Sequence, residues 1–317
     1  ETICKDLGPC RRTVHNSLIC EVMKGKEGAA HLLLDAHIDE IGLTVTHIED
    51  NGFLRVAQCG GVDRRLVMAS PVVVQSFPIP LFHSVPRRIS DNLNGKNPKI
   101  DEIWIDVGMS GEEAKAQIEL GDKISFVGPF TEMENNLVSS KAHDDRCCCV
   151  AIIKAAEQIK AYWEEHHLEP ISLTVLLSAQ EETGGLGAQT ASFETDPTQA
   201  IVVDVTFGTT PEIADKHCGD LNKGAMIGMG ATLSRRMARK LIEVGKEQNI
   251  PYQVEVMGGG HTGTNADGIV KVGAGIETCC VSVPLRYMHT PIETISTVDV
   301  DNTAKLIAAY AISEFAR

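Results

Sequence analysis

LLLDAHIDEIGL, residues 32–43, runs from three leucines into four ionisable side chains, Asp35, His37, Asp39 and Glu40. Residues 31–36 read as a strand apolar on both faces, and 41–48, with GLTVTHI, as a second strand that alternates. Charge at the end of a buried strand needs partners, because an unpaired buried charge is strongly unfavourable. One short segment does not contain them. In an open α/β sheet they gather where strands end, so the other strand ends decide the reading.

Further strand candidates follow at 53–58, 71–77, 102–107 and 123–128. A helix from Ser110 to Glu119 interrupts them, and Ser110 with Glu113 has capping-box spacing. The stretch from Pro78 to Pro98, rich in Pro, Asn and Gly, reads as a loop. After about residue 138 helix and strand alternate: helices at 145–161, 186–194, 234–248 and 299–315, and strands at 171–180, 200–206, 225–229, 252–256 and 277–283. That alternation predicts an α/β fold, a sheet flanked by helices, into which a β-rich block at 45–133 is inserted.

The 317 residues are 43% hydrophobic, and 29 Lys+Arg against 43 Asp+Glu give a formal charge of −14. A soluble globular protein is expected, with no nucleic acid and no membrane as partner; acidic clusters of this kind suit cations. No run of about 18 uncharged apolar residues spans a bilayer and no leader pattern opens the chain, so a cytoplasmic location is expected. The ten cysteines include Cys147-Cys148-Cys149 and Cys279-Cys280 but no CxxC pair. They read as reduced, packed thiols.

Acids and imidazoles do recur at strand ends. LLLDAH ends in His37, LLSAQEE in Glu181 and Glu182, and AIVVDVT carries Asp204 near its end. VSVPLRYMH runs into His289, and the helix after SSKAHDDR starts at Asp144 and Asp145. Two imidazoles with several carboxylates and no thiolate suit zinc, cobalt or manganese. A carboxylate shared by two cations about 3.5 Å apart is the usual device of a dinuclear hydrolytic site. In the HxD at 37–39, residues two apart on extended chain face the same way, so Asp39 can hydrogen-bond the ring of His37. Adjacent Glu181 and Glu182 point apart on extended chain, which permits one to bind metal while the other takes a proton from water. Position alone does not say which.

LLLDAHIDEIGL, SSKAHDDR, LSAQEETGGLGA, VVDVT and PLRYMHTPIE, in this order, resemble the dinuclear-metal aminopeptidases of the M42 family, the tetrahedral, deblocking and glutamyl aminopeptidases. The resemblance covers about residue 15 to the carboxyl end. It implies a zinc-peptidase-like catalytic domain of 1–44 and 134–317, a mixed sheet flanked by helices, with 45–133 as an inserted dimerisation domain. It implies two divalent metal ions per subunit, zinc or cobalt, with His37, Glu182, Asp204 and His289 as ligands, Asp144 as the bridge and Asp39 behind His37. Glu181 becomes the general base toward a metal-bridged water. Peptides become the substrates, shortened from the amino end, and the dimers are expected to build a homo-oligomer, a hollow dodecamer.

The chain departs from that family pattern in three ways. His143 replaces an apolar residue before the paired acids, adding an outer-sphere candidate. Asn265, in GGGHTGTNADGI at 258–269, replaces a common aspartate in a loop expected to contact substrate. The chain also opens close to its first strand, so a missing amino-terminal segment is expected. The same residues are compatible with a dinuclear amidohydrolase or deacylase acting on small N-acyl compounds, and with a catalytically silent scaffold. His261 lies in the glycine-rich loop and is a candidate substrate contact, whereas His15, His31, His47, His83, His166, His167 and His217 read as surface or packing residues. Neither GMGATLSRR, at 228–236, nor the 258–269 loop has nucleotide-loop spacing.

Overall fold

Leu32 and Leu34 enter one hydrophobic core and Leu33 another. The leucine run therefore shows no alternation, because side chains on opposite faces of its strand are both covered. The computed structural model describes residues 2–68, 70–75, 98–211 and 218–316 and the backbone of 77–84. The strands are β1 (Cys10–Arg12), β2 (Leu18–Met23), β3 (His31–His37), β4 (Gly42–Ile48), β5 (Leu54–Cys59), β6 (Pro71–Val74), β7 (Phe77–Ser84), β8 (Trp104–Asp106) and β9 (Lys123–Phe126). They continue as β10 (Thr131–Glu132), β11 (Leu137–Ser140), β12 (Ser172–Ser178), β13 (Gln199–Phe207), β14 (Ala225–Gly230), β15 (Tyr252–Met257), β16 (Glu277–Arg286) and β17 (Glu293–Ser296). The helices are α1 (Arg64–Val67), α2 (Gly111–Gln117), α3 (His143–Glu165), α4 (Leu186–Thr195), α5 (Arg235–Glu247), α6 (Ala266–Ile269) and α7 (Thr297–Phe315).

A large mixed sheet has the order β1-β2-β12-β3-β13-β16-β17-β11-β10, with β14 joining β16 and carrying β15. At its centre β12, β3, β13 and β16 are successive parallel neighbours. Parallel neighbours deliver their carboxyl ends to one edge, which is where segments from distant parts of the chain meet. Helices α3, α5 and α7 contribute to the core that receives Leu32, Leu34, Ile201 and Val281. On the opposite face α4 and α6 cover Leu33, Ala200, Val202 and Cys280.

The remaining strands, β4, β5, β8, β7, β6 and β9, close into a barrel around Leu43, Val45, Val56, Val72, Ile105 and Ile124. In its helix α2 the capping box forms as spaced: Ser110 Oγ accepts from the Glu113 N–H, and Glu113 Oε2 accepts from the Ser110 N–H. The expected loop at 78–98 is corrected in its first part, because residues 77–84 form β7, paired with both β6 and β8. Pro78 and Pro80 fall where the β6–β7 register shifts, between Val72 and Val74. A residue without an N–H is tolerated at such an irregularity. Residues 85–97 lie outside the described residues. No described helix is long and apolar enough to cross a membrane, and the cysteines are free.

Leu34→Ala, in the fully buried middle of β3, is expected to destabilise the chain by about 2–5 kcal/mol through lost burial and the cavity left behind. The urea unfolding midpoint measures it.

Candidate active site

His37 closes β3 with 1% of its surface exposed. Its Nε2 stands 3.0 Å from Asp144 Oδ1, 3.9 Å from Glu181 Oε2 and 4.0 Å from Asp204 Oδ1. Its Nδ1 faces Asp39, 3.3 Å from the carbonyl oxygen and 3.5 Å from Oδ1. The backbone N–H of His37 donates to Asp145 Oδ2 at 3.1 Å. Strand geometry thus aims one ring nitrogen at a carboxylate group and gives the other a partner two residues on.

A second imidazole approaches from the far side. His289, in the turn between β16 and β17, places Nε2 3.3 Å from Asp144 Oδ2 and 3.5 Å from Glu182 Oε2. The two oxygens of Asp144 therefore face different imidazoles. Asp144 can do this because it and Asp145 keep non-helical dihedrals at the entry to α3. The positive end of that helix favours carboxylates there.

The structure brings all seven singled-out residues together: His37, Asp39, Asp144, Glu181, Glu182, Asp204 and His289. It corrects the setting of two. Glu181 and Glu182 do not lie on extended chain; they occupy a turn beyond β12 whose backbone N–H groups donate to Asp39 Oδ1 and Oδ2 at 3.2 and 3.3 Å. Asp39 faces the ring of His37 and also fixes that turn. Asp144, Glu181, Glu182, Asp204 and His289 line a cavity of about 460 Å³ whose further wall includes Met257.

Burial pushes the carboxyls of Glu181 and Glu182 up to about 7 and that of Asp204 well above its ordinary value. Burial also raises Asp144, but hydrogen bonds from His289 and His37 outweigh it and hold that group at about 2. Burial disfavours a charged His37, yet its bonds to Asp144 and Asp39 prevail and raise it; His289, through Asp144 first, rises to about 9. Among the described residues, the basic groups paired with these carboxylates are the two imidazoles. More buried acid than base is a set that divalent cations fit, and nitrogen and oxygen donors lie within 4.8 Å of one another in His37–Asp145–Asp204 and His37–Asp144–Glu182.

Some supporting residues escaped the sequence reading. Glu293, 2% exposed, accepts from the backbone N–H of Asp144 at 3.0 Å and of His289 at 2.9 Å, holding two walls at once. Its signal was an acid four places after His289 inside PLRYMHTPIE. Asn265 is buried and donates to Asp35 Oδ2 and Ser178 Oγ at 3.0 and 2.9 Å, so it anchors its loop, whose Thr262 and Thr264 line the cavity. His143 rests edge-on against Phe130 with ring centres 6.3 Å apart, and burial lowers it to about 4. His261 is exposed and does not line the cavity.

The sequence pattern of the M42 glutamyl aminopeptidase family matches residues 16–306. The chain belongs to the M42 peptidase family. It is 33% identical to a lysyl aminopeptidase of Pyrococcus furiosus over 293 residues, 90% of this chain and 82% of the relative. An aminopeptidase from Desulfurococcus kamchatkensis has the same fold with a TM-score of 0.86 at 29% identity, over 98% of this chain and 86% of that one. The TET1 peptidase of Pyrococcus horikoshii, described as assembling into a tetrahedron or a large octahedral shell, aligns with a TM-score of 0.80 at 28% identity, over 98% and 91%. As an M42 member the chain is an aminopeptidase-type hydrolase.

With metal stripped by a chelator, the melting temperature of this M42 chain is expected to fall as pH rises from about 5 to 9. Folding raises Glu181 and Glu182 from 4.5 to about 7, Glu293 from 4.5 to about 8 and His289 from 6.5 to about 9. Each stabilises the fold below its unfolded value and loses that contribution as pH climbs through its folded one. Thermal melts across pH check the slope, and added Zn²⁺ or Co²⁺ should flatten it.

Proposed function

We propose that the protein removes amino-terminal residues from peptides, using two divalent ions per subunit, zinc or cobalt, with His37, Glu182, Asp204 and His289 as ligands and Asp144 as the shared one. The observation that carries this reading is the single carboxylate of Asp144 presenting one oxygen to each imidazole. When bound, such ions acidify water and polarise a carbonyl oxygen.

The chain's own groups do the rest. Glu181 reaches the cavity 3.9 Å from His37 Nε2, and burial outweighs that neighbour and moves its carboxyl up to about 7, where a general base works best. It takes the proton of the attacking water and hands it to the departing amine nitrogen. Asp39 orients the ring of His37 and, through the turn it holds, Glu181 and Glu182 together. Unspent acidic charge in the cavity receives the free amino terminus of the substrate, which restricts cleavage to chain ends.

The same reading takes 1–44 and 134–317 as the catalytic domain and 45–133, which contains most of the barrel, as a dimerisation insertion. The shells formed by the Pyrococcus horikoshii relative support a homo-oligomer; the same reading takes it as a dodecamer of such dimers, in the cytoplasm. The names glutamyl and lysyl among family and relative differ in the charge of the residue removed, so the substrate panel must vary that charge.

Glu181→Gln is expected to keep its metal content and lose roughly 10²–10⁴-fold in kcat on aminoacyl anilides. His289→Ala is expected to lose metal occupancy, read by elemental analysis. Full activity in Glu181→Gln removes the base assignment, and turnover of N-acyl compounds with none of free-amino peptides removes the aminopeptidase reading.

A further inference from the structure

Gly60 and Gly61 follow β5 in the barrel, yet they lie against two side chains of the large sheet's catalytic edge. The carbonyl oxygen of Gly61 is 2.8 Å from His289 Nδ1. A Cβ on Gly61 would stand 2.7 Å from that nitrogen and 2.9 Å from Cε1. A Cβ on Gly60, whose φ is +80°, would stand 2.8 Å from Ile41 Cγ2, 3.1 Å from Glu182 Oε2 and 3.2 Å from Glu182 Cβ. No side chain fits at either position without moving a group that faces the cavity.

A carbonyl oxygen only accepts, so this contact keeps the proton of the neutral ring on Nδ1. The lone pair is left on Nε2, which points to Asp144 and Glu182. The backbone of His289 is pinned separately, by its N–H to Glu293 Oε1 at a φ of 64°. Glu293 therefore sets where the ring starts, and Gly61 sets how it turns and which nitrogen is free.

We propose that the Gly60–Gly61 backbone of the barrel is a positioning element for one of the two cations, the one held between His289, Glu182 and Asp144. This rests on the two-ion reading above. The dependence is one-sided. The second ring nitrogen of His37 is met by Asp39, two residues along its own segment, and needs nothing from beyond β5. A partner on the far ring nitrogen of a metal-binding histidine is generally worth about 10–100-fold in affinity.

The test is Zn²⁺ titration of the full chain after chelation, with calorimetry and elemental analysis giving stoichiometry and both affinities. Wild type is expected to bind two ions. Gly61→Ala is expected to weaken one of them by roughly 10–100-fold and leave the other unchanged, with the melting temperature of the chelated protein preserved. Gly60→Ala, pressing on Ile41 and on Glu182, should give the same selective loss and serves if Gly61→Ala fails to fold. Gly108→Ala is the control: that glycine also has a positive φ in the barrel region, with nothing within 4 Å of an added Cβ. Equal weakening of both ions, no weakening, or the same loss in Gly108→Ala would overturn the proposal. A wild-type chain that binds only one ion would instead overturn the two-ion reading beneath it.

Discussion

Asp144 has to serve two imidazoles with one carboxylate, and the architecture around the cavity follows from that demand. His37 and His289 lie on opposite sides of it, one at the end of β3 and one beyond β16, with β13 between those strands. Parallel strands are the economical way to bring such distant positions to one edge, since each strand end opens into a loop that is free to carry charge. The cost is a set of acids in a poorly solvated place. Imidazoles offset part of it, and cations are the natural remainder.

Glu293 and Asp39 show how that arrangement is kept from drifting. Each uses its two oxygens on two separate backbone N–H groups: Glu293 on Asp144 and His289, Asp39 on Glu181 and Glu182. A carboxylate that spends both oxygens on fixed backbone donors works as a spacer of set length. Beneath them Asp35, fully buried, is linked through Asn265 to the loop that contributes Thr262 and Thr264 to the cavity wall. The floor and the wall therefore share one hydrogen-bonded joint.

Much of this was readable from the residues. The unbroken leucine run announced a strand covered twice, and acids at successive strand ends announced a common site, because both signals are local and repeat with the period of the backbone. What was not readable depends on tertiary approach. Pro78 and Pro80 argue against a strand until a register shift excuses them. Glu181 and Glu182 read as extended until the bonds to Asp39 reveal a turn. Gly61 carries no side chain to notice, and its carbonyl matters only because His289 arrives some 230 positions later along the chain, at a sequence separation of 228.

His37 ends β3 and Gly42 opens the barrel, while Gly61 returns from the barrel to His289. The barrel thus meets the cavity through Gly61, on the His289 side of Asp144. Val56, on β5 itself, belongs to the barrel's filling, so the segment that carries Gly60 and Gly61 is seated on that core. Selection for catalysis therefore reaches into the interior of a module that, among the described residues, contributes backbone rather than side chains to the cavity.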